Sequence, residues 1–196
     1  MLDTSLYHAM LERRSIRHYD DTKPLTDEQI ALAKASIANA QPLLPGETYR
    51  LELARAKEGW RIYGFCEATQ LSHVNLGFVM QQIDLALHAK GLGRLWFGMG
   101  LAPKDIQAPA GMVYAMAMKI GCASIALARP LAGFDRKAIE EVTDAPTLHA
   151  LLEPVRLAPS ARNSQPWFFT LEGQTLHAWR ARHRSTKKAH DPHEPD

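Results

Sequence analysis

The chain has 196 residues, 46% hydrophobic and 22% charged, with 12 glycines and 12 prolines. That length suits one domain, and the composition excludes wholesale disorder, collagen and coiled coil. The 23 Lys and Arg against 21 Asp and Glu leave a formal charge of +2, so no global field calls for nucleic acid or an anionic membrane.

Thr4 to Arg14 predicts a helix, with Leu6, Ala9, Met10 and Arg13 on one stripe. It runs into Arg13-Arg14-Ser15-Ile16-Arg17, and Pro24 then stops local structure. Thr26 and Gln29 stand at capping-box spacing and open a second helix with the stripe Ile30, Ala33 and Ile37. Gln41-Pro42-Leu43-Leu44-Pro45-Gly46 ends it. Tyr49 to Leu53 and Trp60 to Phe65 read as strands around a Lys57-Glu58-Gly59 turn. The longest helix covers about Thr69 to Lys90, its apolar face made by Leu76, Val79, Met80, Ile83 and Leu87, with Gly91 at its C-terminal cap. Leu95 to Phe97 is a short strand, Pro103 to Gln107 a helical turn, and Met112 to Ile120 a further strand. A last helix, Asp144 to Leu157, carries the stripe Leu148, Leu151, Leu152 and Val155. Trp167 to Glu172 and Thr175 to Trp179 form a hairpin around Gly173-Gln174.

Helix, Pro-containing loop and two strands therefore occur twice, with Pro42 and Pro159 as anchors. The expected organisation is a domain over 1–179 with related halves at about 16–65 and 133–179. A basic, disordered tail over 180–196 follows.

Cys66 and Cys122 are the only cysteines. They have no zinc spacing and point to a reducing compartment. The N-terminus has no basic stretch followed by an apolar run, and no segment is apolar for long enough to cross a bilayer, so a cytoplasmic protein is expected. No nucleophile elbow, Walker loop or metalloprotease helix is present. The nine histidines are scattered, and no metal site or general base is assigned.

Two stretches stand apart. Arg13-Arg14-Ser15-Ile16-Arg17 offers guanidinium groups and a hydroxyl, which suit a phosphate. A solvated helix end accounts for the same composition, and on composition alone that plainer account stands. Ala158 to Phe168 places Ser160, Asn163 and Gln165 between a helix and an aromatic strand, donors and acceptors fit for the edge of a planar heterocycle. An Asn/Ser-rich turn is the alternative.

Leu157 to Phe168 resembles the signature loop of the FMN-dependent nitroreductases, Ala-Pro-Ser-x-x-Asn-x-Gln-Pro-Trp. Arg13 to Arg17 is similar to that family's N-terminal Arg-Arg-Ser-(Ile/Val)-Arg motif. Asn75 to Phe78, Gly91 to Gly93, Trp96 and Gly98 resemble its central helix and following strand. The loop comes late in this chain, as in the smaller subfamily whose single chain carries two related halves. The resemblance implies an α+β nitroreductase-like fold, with a mixed, mainly antiparallel sheet flanked by helices. It implies that Arg13, Arg14, Ser15 and Arg17 hold the FMN phosphate and ribityl chain, and that Ser160 and Asn163 contact the flavin from the other half. Gln165 would support that loop, Gly98 and Met99 would lie beside the ring, and Arg136 or Lys137 would be a second phosphate ligand. Opposite ends of the chain would thus converge on one FMN.

Trp96 or Phe97 would line the acceptor pocket or the core. Hydride would pass from NADH or NADPH through FMN to a nitroaromatic, quinone or similar acceptor, with no side chain as obligatory acid or base. The assembly would be a monomer imitating a dimer, or a homodimer. A non-catalytic flavin-binding or assembly-partner protein is the alternative, and nucleic-acid binding through the tail is a third reading.

Overall fold

Helix α1 (Thr4–Glu12) leads into helix α2 (Asp27–Asn39), strands β1 (Tyr49–Ala56) and β2 (Gly59–Cys66), and the long helix α3 (Gln70–Ala89). Strands β3 (Gly93–Phe97) and β4 (Val113–Gly121) follow. Helix α4 (His149–Arg156) and the hairpin β5 (Trp167–Glu172) and β6 (Thr175–Arg180) close the order. This computed structural model describes residues 4–97 and 106–181, which fall into two compact units, Met1–Phe134 and Asp135–Asp196. The turn expected over Pro103–Gln107 lies mostly outside the described residues, as does the tail beyond Ala181. Arg180 itself closes β6.

In the first unit the strands form one antiparallel sheet in the order β1-β2-β4-β3. Its central strands alternate their side chains between two apolar layers. On one face Ile62, Met118 and Ile120 pack with Ala33 of α2 and with Leu76, Val79, Met80, Ile83 and Leu87 of α3. The α3 positions are those the helical period picks out, and each is fully buried. On the other face Tyr63, Phe65 and Ala117 form a smaller cluster with Phe97 and Tyr114 against it. Each fully buried Leu, Ile or Met contributes about 1.5–3 kcal/mol.

The expected caps form. Thr26 Oγ1 accepts from Gln29 N at 3.2 Å, and Gln29 Oε1 accepts from Thr26 N at 3.0 Å. Gly91 takes φ +78°, the left-handed conformation of a helix stop.

A glycine pair decides the path of the segment after α1. Gly93 and Gly121 face each other across β3 and β4. A Cβ on Gly121 would lie 2.8 Å from Tyr19 Cδ1, and one on Gly93 would lie 2.9 Å from the Gly121 carbonyl and 3.2 Å from Ile16 Cγ2. The missing side chains make the seat on which Ile16 to Tyr19 rest.

The second unit starts later in helix than the sequence pattern suggests. Ala145 is extended (φ −108°, ψ 92°), because a residue before proline avoids the helical region, and Pro146–Leu148 is a 3-10 turn. The α-helix proper begins at His149. Leu152 is buried, whereas Leu151 and Val155 of the expected stripe are exposed. Phe169 N donates to Val142 O at 2.8 Å beside a parallel bridge from Thr143 to Phe169. Val142, Thr143, Leu152, Leu157 and Phe169 are buried. Each unit contains a helix followed by an antiparallel hairpin, α2-β1-β2 in the first and α4-β5-β6 in the second.

Candidate functional site

The segment Arg13 to Asp20 is stitched on both sides within the first unit. Arg13 bridges Ala128, Ile16 N donates to Arg94 O at 2.8 Å, and Tyr19 bridges Ala123. Asp20 N donates to Cys122 O at 3.0 Å, and Ser124 N donates to His18 O at 3.1 Å. Ile16 is fully buried. The alternation that buries Ile16 turns Arg17 to solvent, while Arg14 and Ser15 are half-buried.

Arg13 is not at a solvated helix end. It is 1% exposed, and its Nε lies 2.9 Å from Asp84 Oδ2. The other carboxylate oxygen, Oδ1, accepts from Arg94 Nε at 2.8 Å. Arg94 Nη1 donates to Leu92 O at 2.7 Å, and its Nη2 reaches Arg14 O at 3.5 Å. Arg13 Nη2 donates to Ser15 Oγ at 3.3 Å. Two guanidinium groups thus share one buried carboxylate, which leaves the trio with a net positive charge. Arg13 Nη1 is buried with no hydrogen-bond partner among the described residues, and Nε meets Asp84 Oδ2 as an ion pair outside hydrogen-bond geometry. An unpaired donor on a buried cation costs free energy until an acceptor fills it, and an oxyanion is the acceptor that also offsets the charge. Burial pulls the Arg13 pKa down, Asp84 opposes, and Arg94 and Arg129 lower it further. A guanidinium nonetheless stays charged in proteins.

Neighbouring His88, on the same helix as Asp84, lies 3.0 Å from Glu12 Oε1 through its Nε2. Burial holds its pKa below the ordinary imidazole value against the pull of Glu12.

The first unit also carries an open cavity of about 770 Å³ lined by Tyr19, Lys23, Arg55, Trp60, Lys119 and Cys122 among others. None of Arg13, Arg14, Ser15 or Arg17 lines it. Lys23, Arg55, Lys57 and Lys119 there are balanced by Asp20, Asp21, Asp27 and Glu58, so it offers an anion no net attraction.

In the second unit Ser160 to Gln165 is a strained loop. Arg162, Asn163 and Gln165 have φ of 53°, 56° and 45°, a left-handed conformation that costs non-glycine residues on the order of 1 kcal/mol each. Hydrogen bonds hold it there. Gln165 is 5% exposed. Its Oε1 accepts from Lys137 N at 2.8 Å, its Nε2 donates to Asn163 O at 3.2 Å, and its carbonyl accepts from Lys137 Nζ at 3.1 Å. Asn163 Oδ1 accepts from Arg136 Nη1 at 2.6 Å, and its Nδ2 donates to Asp135 O at 2.9 Å. Arg136 Nη2 also donates to Leu157 O at 3.2 Å. Ser160 Oγ accepts from Gln165 N at 2.9 Å, leaving its own proton to donate. Arg162 and Ser164 face solvent.

The structure thus brings Arg13 and Ser15 together in one unit, and Ser160, Asn163, Gln165 and Arg136 together in the other. Arg17 is exposed apart from the buried trio. Gly98 and Met99 lie outside the described residues. Trp96 packs against the main core, and Phe97 stacks beneath Arg61 at 5.0 Å. Sequence reasoning missed Asp84 and Arg94. One signal was present: Asp84 and His88 interrupt the apolar face of Ile83 and Leu87, and a carboxylate on a buried stripe needs a partner. Among the described residues no helix is long and apolar enough to cross a membrane, and no cluster suits a metal ion.

Helices packed on an antiparallel sheet, with Arg13 and Ile16 of the arginine motif buried beside the sheet's edge strand, give an α+β fold of the nitroreductase-like class. The chain matches the family described as "Putative TM nitroreductase" over residues 5–191, and it belongs to that family. Among solved structures it is similar to a putative nitroreductase of Thermotoga maritima, at 23% identity and a TM-score of 0.66, covering 89% of this chain and 75% of that one. It is similar to a nitroreductase of Desulfitobacterium hafniense solved with bound FMN, at 19% identity and TM-score 0.54, covering 66% and 93%. It is also similar to a putative nitroreductase of Desulfovibrio desulfuricans in complex with FMN, at 24% identity and TM-score 0.51, covering 67% and 95%. No curated protein matches.

Proposed function

We propose that this protein is an FMN-dependent oxidoreductase that takes hydride from NADH or NADPH and passes it to a nitroaromatic, quinone or similar electron-poor acceptor. The observation that carries the reading is the buried Arg13 guanidinium, with an unfilled Nη1 donor in a trio of net positive charge. Family membership and the FMN-bound relatives support the FMN phosphate as that anion. FMN, when bound, supplies the capacity to accept and release hydride.

The chain's own residues would bind and orient. Arg13, Arg14 and Arg17 would meet the phosphate, and the Ser15 hydroxyl would add a short donor to the phosphate or ribityl chain. In the second unit Ser160 would donate its free proton to the flavin or its ribityl chain, and Asn163 would contact the same part of the cofactor. Gln165 would keep that loop in shape, and Arg136 would serve as a further phosphate ligand or as the brace of Asn163. No side chain is assigned as acid or base. The free thiols Cys66 and Cys122 support a cytoplasmic location.

The test is optical. Purified protein should be yellow, should bleach on addition of NADH or NADPH, and should regain its colour with a nitroaromatic or quinone. A yellow protein that neither donor bleaches points instead to flavin binding without turnover. A colourless protein that takes up no added FMN refutes the proposal.

A further inference from the structure

We propose that Asp84 is the positioning residue of the phosphate grip, aiming Arg13 at the anion rather than merely burying its charge; this rests on the reading that Arg13 holds a flavin phosphate. The carboxylate is divided. Oδ2 stands 2.9 Å from Arg13 Nε as an ion pair outside hydrogen-bond geometry, and Oδ1 accepts from Arg94 Nε at 2.8 Å. An ion pair on the Nε side leaves the two Nη nitrogens at the far end of the fork, one on Ser15 Oγ and one without a hydrogen-bond partner among the described residues. A carboxylate on the Nη edge would instead have consumed the donors a phosphate needs.

Arg94 keeps Asp84 from turning. Its Nη1 is fixed on Leu92 O, its Nη2 reaches Arg14 O, and its own carbonyl accepts from Ile16 N. The same residue therefore sets the carboxylate and ties down the backbone on both sides of Ser15. Asp84 is 0% exposed on α3, so its aim is set by the core. The arrangement would favour a phosphorylated flavin over riboflavin, because the phosphate is the group of FMN whose charge matches those donors.

The experiment titrates the full chain, stripped of flavin, with FMN and with riboflavin by quenching of flavin fluorescence. Wild type should bind FMN more tightly. Asp84→Asn makes the site more positive, so a purely electrostatic site would bind FMN more tightly still. Positioning requires the opposite: FMN affinity falls by about tenfold or more while riboflavin affinity stays within about twofold. Should Asp84→Asn fail to fold, Asp84→Glu keeps the charge and moves it by one methylene. Its FMN preference should fall by about threefold or more, with riboflavin again unmoved.

Tighter FMN binding in Asp84→Asn, equal losses for both flavins, or an unchanged preference in Asp84→Glu overturns the assignment to Asp84 alone. A wild type that binds both flavins equally, or neither, removes the phosphate reading of Arg13 and this inference with it.

Discussion

Gly121→Ala should destabilise the protein, while the same change at Gly77 should stabilise it. At Gly121 the new methyl would sit 2.8 Å from Tyr19 Cδ1 and 3.2 Å from Cε1. The ring cannot slide away without backbone movement. Its chain is bridged to Ala123 and flanked by hydrogen bonds of 3.0 Å from Asp20 N to Cys122 O and 3.1 Å from Ser124 N to His18 O. Lys119 Nζ also stands 4.3 Å over its centroid. Overpacking of this kind costs about 1–3 kcal/mol. At about 2–4 °C per kcal/mol for a chain of this size, the melting temperature should fall by roughly 2–12 °C. Gly77 lies inside α3 with nothing within 4 Å of its added Cβ. Removing the entropy a helical glycine loses on folding should gain about 0.5–1 kcal/mol, or roughly 1–4 °C. Differential scanning calorimetry of the two variants beside wild type is the assay. Since the seat of Tyr19 also carries the segment that follows Arg13, Gly121→Ala should lose FMN more readily as well. Equal melting temperatures in Gly121→Ala and wild type, or a loss in Gly77→Ala as large as that in Gly121→Ala, would refute the close-approach argument.

Replacing both Arg13 and Arg17 by Ala should yield protein without flavin, seen as lost visible absorbance after purification; undiminished occupancy counts against the phosphate assignment. Gln165→Ala strips Lys137 N of its acceptor and Asn163 O of its donor. Buried groups left unpaired cost about 1–3 kcal/mol each, so hydrogen exchange at Lys137 and across 160–166 should accelerate, and unchanged protection would show that other contacts hold the loop. His88 has a folded pKa below its unfolded value because burial disfavours the cation. The unfolded chain therefore binds more protons there, and stability should fall as pH drops through the ordinary imidazole range toward the depressed folded value. Melting temperature against pH should be flatter in His88→Gln, and parallel curves would exclude His88 as the source.

What the sequence disclosed depends on how local each cause is. The α2 start was legible because a capping box is closed by residues three apart, and Thr26 and Gln29 satisfy each other without help from the rest of the chain. The α3 face was legible because twenty residues repeat one period. Helix α4 was misjudged at both levels. Pro146 forces Ala145 out of helical geometry, a one-residue effect that overrides the apolar pattern. Period also tells which side chains share a face but not what covers that face, and Leu151, at 61% exposure, is left bare.

The site shows the same limit more sharply. Arg13 and Ser15 were nominated as a cluster of charge and hydroxyl, and a solvated helix end explained that cluster as well. Burial is what separates the two explanations. A helix-end arginine in solvent has water for every donor, whereas Arg13 has the Asp84 carboxylate beside its Nε as an ion pair, a serine two residues on, and an Nη1 with no hydrogen-bond partner among the described residues. Neither Asp84 nor Arg94 is near Arg13 in sequence, and neither belongs to a motif. They meet it because Gly93 and Gly121 lack side chains and let the chain after α1 lie down on β3 and β4. The glycines were readable only as turn or cap residues, since a requirement for close approach becomes visible when the approaching backbone is known. Two absent methyl groups thus admit the segment, the segment brings a second cation to Asp84, and the surplus charge makes the place suited to an anion. Each step is ordinary packing or Coulomb attraction, but the sequence records only the residues and not the order in which they act.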